Sequence, residues 1–149
     1  TPIMAGQVGG DFVLPKDPAQ KIVFIAGGIG ITPYRSMIKY LLDTNQKRDI
    51  VLLYAAKTPA DIVYRDVFDA AAAKLNIRIV YVVDSQDAQP PFQTGRITAE
   101  FVQKTVPDFA ERLFYVSGPH GMVVGASESL RDIGVAKHNI KKDFFSGYA

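Results

Sequence analysis

The sequence contains no cysteine, which excludes disulfide bonds and thiolate chemistry. It has only two histidines, His120 and His138, which stand far apart in the sequence, so we expect no metal site. No cluster of lysine and arginine is present, and the formal net charge is only +2. We therefore expect no dedicated nucleic-acid surface.

Long hydrophobic runs are also missing. The longest one, residues 22–31, is interrupted by glycines and is much shorter than the ~20 residues that a membrane-spanning helix needs. Since no signal peptide is visible, we predict a cytoplasmic location. The chain starts at Thr1 instead of a methionine, so we expect a piece of a longer protein. Its 149 residues suit one domain with a sizeable core.

The stretch around residues 22–33 organises the chain. Five apolar residues, 22–26, predict a buried strand. Gly27, Gly28 and Gly30 then permit unusual backbone angles and the close approach of a ligand. Thr32 is a good N-cap, and Pro33 suits the first helical position. The free N–H groups at such a helix start are a usual place for a phosphate.

This turn fits neither of two common phosphate-binding motifs. Pro33 stands where the third glycine of the Rossmann fingerprint would be, and no Gly-Lys-Ser/Thr follows as it would in a P-loop. The rest of the chain must therefore decide its role.

Strands and helices alternate along the chain. Further strands are predicted at residues 50–54, 77–83, 113–116 and 140–145, with amphipathic helices beginning near Thr32, Thr58, Thr98 and His120. A short strand-like centre also occurs in residues 10–15, whereas 84–95 is predicted to be a loop. The pattern predicts an α/β fold of three αβα layers. Its five-stranded parallel sheet has the order 3-2-1-4-5, with helices on both faces.

A second glycine turn, Ser117-Gly118-Pro119, follows the fourth predicted strand. Ligands of parallel sheets bind at the carboxyl ends of the strands, where the winding direction reverses. If the fourth strand lies beside the first, both glycine turns flank one crevice. This combination predicts a nucleotide site.

Six motifs follow one another along the chain, at residues 10–15, 25–33, 53–61, 95–97, 117–122 and 143–148. In this order they resemble the NAD(P)-binding domain of the ferredoxin–NADP reductase family of flavin-dependent oxidoreductases. The resemblance implies that residues 1–15 are the end of a preceding flavin-domain strand with its linker, and that 16–149 are the NAD(P)-binding domain. One departure matters, because Ser117 stands where the family has a cysteine beside the nicotinamide.

The resemblance implies an enzyme module that positions the nicotinamide of NAD(P)H for hydride transfer to flavin, with electron transfer onward. FAD would be bound mainly by a flavin domain of the same polypeptide that is absent from this chain. The implied catalytic residues are Ser117 and Phe145. The implied cofactor-binding residues are Gly27, Gly28, Ile29, Gly30, Thr32, Pro33, Lys57, Asp84, Ser85, Ser117, Gly118, Pro119, Met122, Phe144 and Phe145. Further parts of the parent protein could place it at the cytoplasmic face of a membrane.

Coenzyme choice depends on opposed charges. Asp84, Ser85 and Asp87 follow the third predicted strand, where a carboxylate can accept a hydrogen bond from a ribose hydroxyl and repels a 2′-phosphate. Lys57 and Arg65 would instead attract that phosphate. We expect a slight preference for NADH.

Plainer interpretations stay open. The chain could be a non-catalytic module that binds or senses a nucleotide. Thr32 could be only a helix cap, Met122 only a core residue, and His120 only a solvated turn residue. Ser117 and His120 do not form the Gly-x-Ser-x-Gly elbow of a hydrolase.

If the first turn binds diphosphate, a bulky residue at Gly30 should abolish nucleotide binding and leave the fold largely intact.

Overall fold

The computed structural model describes residues 12–86 and 88–145. Ten main elements follow one another in this part of the chain: β1 (Ile22–Gly27), α1 (Thr32–Thr44), β2 (Ile50–Ala56), α2 (Arg65–Leu75), β3 (Arg78–Val83), β4 (Phe92–Thr94), α3 (Ala99–Thr105), β5 (Leu113–Pro119), α4 (His120–Asp132) and β6 (Ile140–Phe145). The longest helices, α1 and α4, have 13 residues each, and none described could cross a membrane.

All strand pairs are parallel, and the sheet has the order β4-β3-β2-β1-β5-β6. The α/β fold with a parallel sheet is thus confirmed, but the prediction of five strands is wrong. The additional strand β4 lies in the predicted loop 84–95 and pairs with the edge strand β3, where Phe92 lies opposite Tyr81. Three residues beside two prolines are too few to give a periodic pattern, and the pairing depends on ring packing at 5.8 Å between Tyr81 and Phe92.

Helices cover both faces of the sheet. On one face, α1 and α2 pack through Tyr34, Ile38, Leu41, Phe68, Ala71 and Leu75. On the other face, α3 and α4 pack through Val102, Val123 and Leu130. Because both faces are covered, every residue of β1 is buried, which explains its continuous apolar run.

Two helix starts differ from the prediction. The N-cap of α1 is Ile31, not Thr32, and the Thr32 hydroxyl donates a hydrogen bond to the Ile29 carbonyl at 3.1 Å. A short 3-10 turn, Gly28–Ile31, leads directly into the helix and takes over the capping role. The Thr58–Asp61 capping box does form, but it closes a separate 3-10 turn, and α2 begins only at Arg65.

The segment before β1 packs onto the domain without joining the sheet. Residues 12–15 form no strand, so the strand-like centre predicted there is wrong for the described part of that motif. Phe12 is 3% exposed and packs its ring against Tyr34 and Tyr115. The Tyr115 hydroxyl donates to the Val13 carbonyl. The segment is therefore held by the burial of an aromatic ring and by this hydrogen bond, and not by pairing with a strand.

Arg112 ties together the edge of the sheet opposite the strand carboxyl ends. Its side chain is 8% exposed and forms ion pairs with Asp49 at 2.8 Å and Asp108 at 2.9 Å. It also donates to the Ile22 carbonyl at 3.0 Å. The hydrogen bond from Arg112 lowers the pKa of Asp108, burial opposes it with a smaller effect, and the hydrogen bond from Lys21 adds to the lowering. This cluster stabilises the entry points of β1, β2 and β5.

Candidate functional site

The two glycine turns are in direct backbone contact at the carboxyl ends of β1 and β5. These strands are neighbours, with Ala26 opposite Ser117. A Cβ atom placed on Gly30 would lie 2.3 Å from the Ser117 carbonyl oxygen and 2.7 Å from the Gly118 nitrogen. The structure therefore joins both turns into one continuous surface.

The glycines of the first turn have different surroundings. Gly30 is buried against β5, whereas Gly28 has a positive φ of 56° and open space around its α-carbon. Ile29 lies between them and is 69% exposed. The tip of the turn at Gly28 and Ile29 is thus the part that a ligand can approach. Thr32 is exposed and Pro33 half-buried on the first turn of α1.

Met122 fills the space between the two turns. A Cβ on Gly27 would lie 3.2 Å from the Met122 methyl carbon, and one on Gly118 would lie 2.8 Å from its sulfur. The methionine is half-buried on the first turn of α4 and also packs against the core. The adaptable thioether chain suits this irregular gap. Its structural role is therefore clear, and a contact with cofactor stays a prediction.

Ser117 lies deeper than the sequence suggested. It is 1% exposed, on the same face of β5 as Tyr115, and it pairs across the sheet with Asp143. Little of the side chain reaches the surface of the crevice in the described residues. Its assignment as a catalytic residue stays a prediction.

The end of β6 borders the second turn. Phe144 lies opposite Gly118 and Phe145 opposite Pro119. Phe144 is 50% exposed and contacts the His120 ring edge-on, with 4.6 Å between ring centroids. His120 is exposed, as expected of a turn residue. It is nevertheless the first residue of α4 and packs against an aromatic ring. Burial raises the pKa of the neighbouring Asp143 carboxyl.

Asp84 and Ser85 lie where β3 ends, beside the loop that follows β2. The Asp84 N–H donates to the carbonyls of Ala56 and Lys57. The Asp84 carboxylate forms an ion pair with Arg96 at 3.6 Å, and both side chains are largely exposed. Ser85 is held through its carbonyl, which accepts a hydrogen bond from the Thr94 hydroxyl. Asp87 lies outside the described residues.

Of the cations near the end of β3, the sequence analysis singled out Lys57 and Arg65 but not Arg96. Arg65 packs over the rings of Tyr81 and Phe92 at 5.3 and 5.2 Å and pairs with Asp69 at 3.8 Å, so its guanidinium is already engaged. Arg96 is the cation beside Asp84, and the sequence interpretation missed this pairing. The signal available was its place in the Gly-Arg-Ile motif, next to a loop of opposite charge.

Residues 24–128 match the family of oxidoreductase NAD-binding domains. The chain belongs to this family. The resemblance to ferredoxin–NADP reductase-like enzymes is thereby confirmed, and the domain is one that binds a nicotinamide dinucleotide in oxidoreductases.

The curated relatives of the domain include several reductases. It is 34% identical to NADH-cytochrome b5 reductase 2 of Scheffersomyces stipitis, over 89% of this chain and 51% of that protein. It is 26% identical to the glycine betaine monooxygenase reductase subunit of Chromohalobacter salexigens, over 96% of this chain and 40% of that protein. The chain thus spans about half or less of the length of these relatives.

Solved structures give the same picture. The Amycolatopsis cytochrome P450 reductase GcoB superposes with a TM-score of 0.79 at 25% identity, covering 93% of this chain and 42% of that one. The cytochrome b5 reductase domain of Ulva prolifera nitrate reductase superposes with a TM-score of 0.72 at 26% identity, covering 83% and 50%.

Proposed function

We propose that this domain binds NAD(P)H across the two joined turns and holds its nicotinamide for hydride transfer to FAD. The FAD would be bound mainly by another part of the same polypeptide, consistent with the share of each relative that this chain spans. The observation that carries the proposal is the backbone contact of Gly30 with Ser117 and Gly118. This contact supports the proposal because it joins the turn that would take the diphosphate to the turn that would border the nicotinamide.

The chain's own residues would bind and orient the dinucleotide. The N–H groups at the start of the 3-10 turn Gly28–Ile31 are suited to the diphosphate, because the first N–H groups of a helix have no acceptor within it and lie at the positive end of its dipole, and this turn leads directly into α1. Ser117, Pro119 and Phe145 would border the nicotinamide. The hydride chemistry itself belongs to the cofactors.

We further propose that NADH is the preferred coenzyme, by a small margin. The Asp84 carboxylate at the end of β3 would accept a hydrogen bond from the ribose and repel a 2′-phosphate. Its pairing with Arg96 weakens that repulsion, because the two charges offset one another at 3.6 Å. Since Arg65 is held by Tyr81, Phe92 and Asp69, Lys57 and Arg96 are the cations placed to attract a phosphate.

The proposal extends to the parent protein. Residues 1–15 would be the end of a flavin-domain strand and its linker, and 16–149 the nucleotide-binding domain. The electrons would pass to a separate redox partner, as the name of the monooxygenase reductase subunit implies for that relative. A cytoplasmic location, or attachment at the cytoplasmic face of a membrane through other parts of the protein, stays a prediction.

Two glycines, one inside the crevice and one outside it, provide a test of nucleotide binding. Gly28 and Gly134 both have positive φ, 56° and 102°, and neither has atoms within 4 Å of an added Cβ. Only Gly28 lies in the crevice. Gly28→Ala should weaken NADH binding at least about tenfold, because a methyl group would stand where the diphosphate approaches backbone N–H groups. Gly134→Ala should lose at least as much stability, because its φ lies further from the left-handed region that alanine can adopt, and should keep its affinity.

Isothermal titration with NADH and NADPH measures the affinity of each variant for the nucleotides, and thermal unfolding measures its stability. Equal NADH affinity in Gly28→Ala and the unchanged chain would refute the site. NADH binding without flavin reduction in the complete flavoprotein would instead favour a non-catalytic sensing module.

A further inference from the structure

A cavity lies outside the crevice, between α4, the 3-10 turn Lys137–Asn139 and β6. Its volume is about 140 Å³. It is built from α4 from Val124 onward, from Lys137, and from the first half of β6, including Ile140 and Lys142. The crevice uses the opposite ends of these elements, at His120 and Met122 and at Phe144 and Phe145. The two places are therefore separate.

Positive charge predominates around this cavity. Arg131, Lys137 and Lys142 line it from three different elements, and Glu128 is the one acidic side chain among the lining residues. Within the part of the chain that the structure describes, none of these four side chains forms an ion pair. The local excess of two positive charges is thus not offset by ion pairs among the residues that the structure describes.

Ser127 adds a second, independent observation. It lines the same cavity and is only 7% exposed, on the inward stripe of α4 between Val123 and Leu130. Its hydroxyl is buried and has no hydrogen-bond partner in the described structure. Buried hydroxyl groups are nearly always paired, so one without a partner calls for an acceptor.

We infer that this cavity binds a small oxyanion of the phosphate type. Two negative charges match the local excess of cations, and the planar guanidinium of Arg131 suits the bidentate recognition of phosphate oxygens. The Ser127 hydroxyl is a neutral donor, and a phosphate oxygen can accept a hydrogen bond from it. The anion is either free phosphate or the phosphoryl group of a small metabolite, which share this chemistry. The inference does not depend on the proposed nucleotide site.

Titration followed by amide NMR spectra tests the site residue by residue. Inorganic phosphate and glycerol 1-phosphate are added in turn to the uniformly ¹⁵N-labelled chain, with sodium chloride at matched ionic strength as reference. We expect saturable shifts at the amides of Ser127, Ile140 and Lys142. Tighter binding of one of the two probes identifies the source of the anion. Shifts at Gly28 and Ile29 report any phosphate at the other site separately.

Charge variants make the test decisive. Arg131→Gln should weaken phosphate binding at this cavity at least about fivefold, whereas Glu128→Gln should tighten it. Ser127→Ala should weaken it less. Lys47→Gln in the α1–β2 loop makes the same change in net charge and should have no effect. Shifts that do not saturate, that chloride reproduces, or that respond equally to Arg131→Gln and Lys47→Gln would overturn the inference, provided the spectra keep native dispersion.

Discussion

Replacing Gly30 by alanine should damage the fold before it affects the ligand. The added Cβ would lie 2.3 Å from the Ser117 oxygen, while ordinary contacts begin at 3.4 Å, so the two turns would have to separate by about 1.1 Å. The atoms in contact are backbone, which cannot rotate away as a side chain does. We therefore expect the upper end of the overpacking range, about 3 kcal/mol. For a domain of this size, that lowers Tm by about 6–12 °C.

Thermal and urea unfolding of Gly30→Ala measure this loss, with Gly28→Ala as the matched comparison. Gly28→Ala places its methyl group in open space and costs only the left-handed backbone strain, about 1–2 kcal/mol. Urea midpoints should thus rank Gly30→Ala below Gly28→Ala. An unchanged Tm in Gly30→Ala together with lost NADH binding would refute this reasoning and restore the first expectation, that a bulky residue at Gly30 leaves the fold largely intact.

Four further predictions concern the opposite edge of the sheet and the two ends of the crevice. Arg112→Met should cost about 2–3 kcal/mol in urea unfolding, below the full cost of breaking a buried pair because Asp49 and Asp108 are 52% and 30% exposed. Because its partners lower the folded-state pKa of Asp108, this carboxylate stabilises the fold above pH ~4, and that contribution is lost as pH falls further. Asp108→Asn should therefore flatten the acid limb of the stability profile, and an unchanged limb would contradict the assigned cause. In the complete reductase, steady-state rates give the ratio of kcat/KM for NADPH to kcat/KM for NADH. Asp84→Asn should raise this ratio and Arg96→Gln should lower it, each roughly fivefold. If neither variant changes the ratio, this pair takes no part in coenzyme choice. Stopped-flow measurement should show that Ser117→Cys reduces the flavin at the same rate or faster. Ser117→Ala should reduce it more slowly, by roughly tenfold to a hundredfold at most, because only a few contacts to the nicotinamide are lost. Complete loss in Ser117→Ala with intact NADH binding would mean that the hydroxyl takes part in chemistry.

The layered fold could be predicted because its signals are local and repeated. Five consecutive apolar residues before the first glycine turn identify β1, and strands β2, β3 and β5 show comparable runs of at least four apolar residues. Strand β4 could not be predicted, since three residues carry no period and depend on the ring of Tyr81 across the sheet. The start of α2 was misplaced for a related reason. Its capping box is genuine but belongs to a one-turn helix that ends before Tyr64.

The site residues divide in the same way. Sequence identifies glycine at positions 28 and 30 but not the reason for it, which is a positive φ at Gly28 and a backbone contact at Gly30. Ser117 looked accessible because it stands in a glycine–proline turn, yet it lies within β5. The Asp84–Arg96 pair joins residues twelve positions apart through the path of β4, which the sequence did not reveal.

The contact between the two turns has a consequence for anyone exchanging parts among related reductases. Because the backbone at Gly30 touches the backbone at Ser117 and Gly118, a segment transplanted on one side alone would not fit its neighbour. Chimeras should therefore carry both turns from the same parent. Asp84 and Arg96 are different, since their contact is between exposed side chains. This pair can be varied in libraries without redesigning the contact between the two turns.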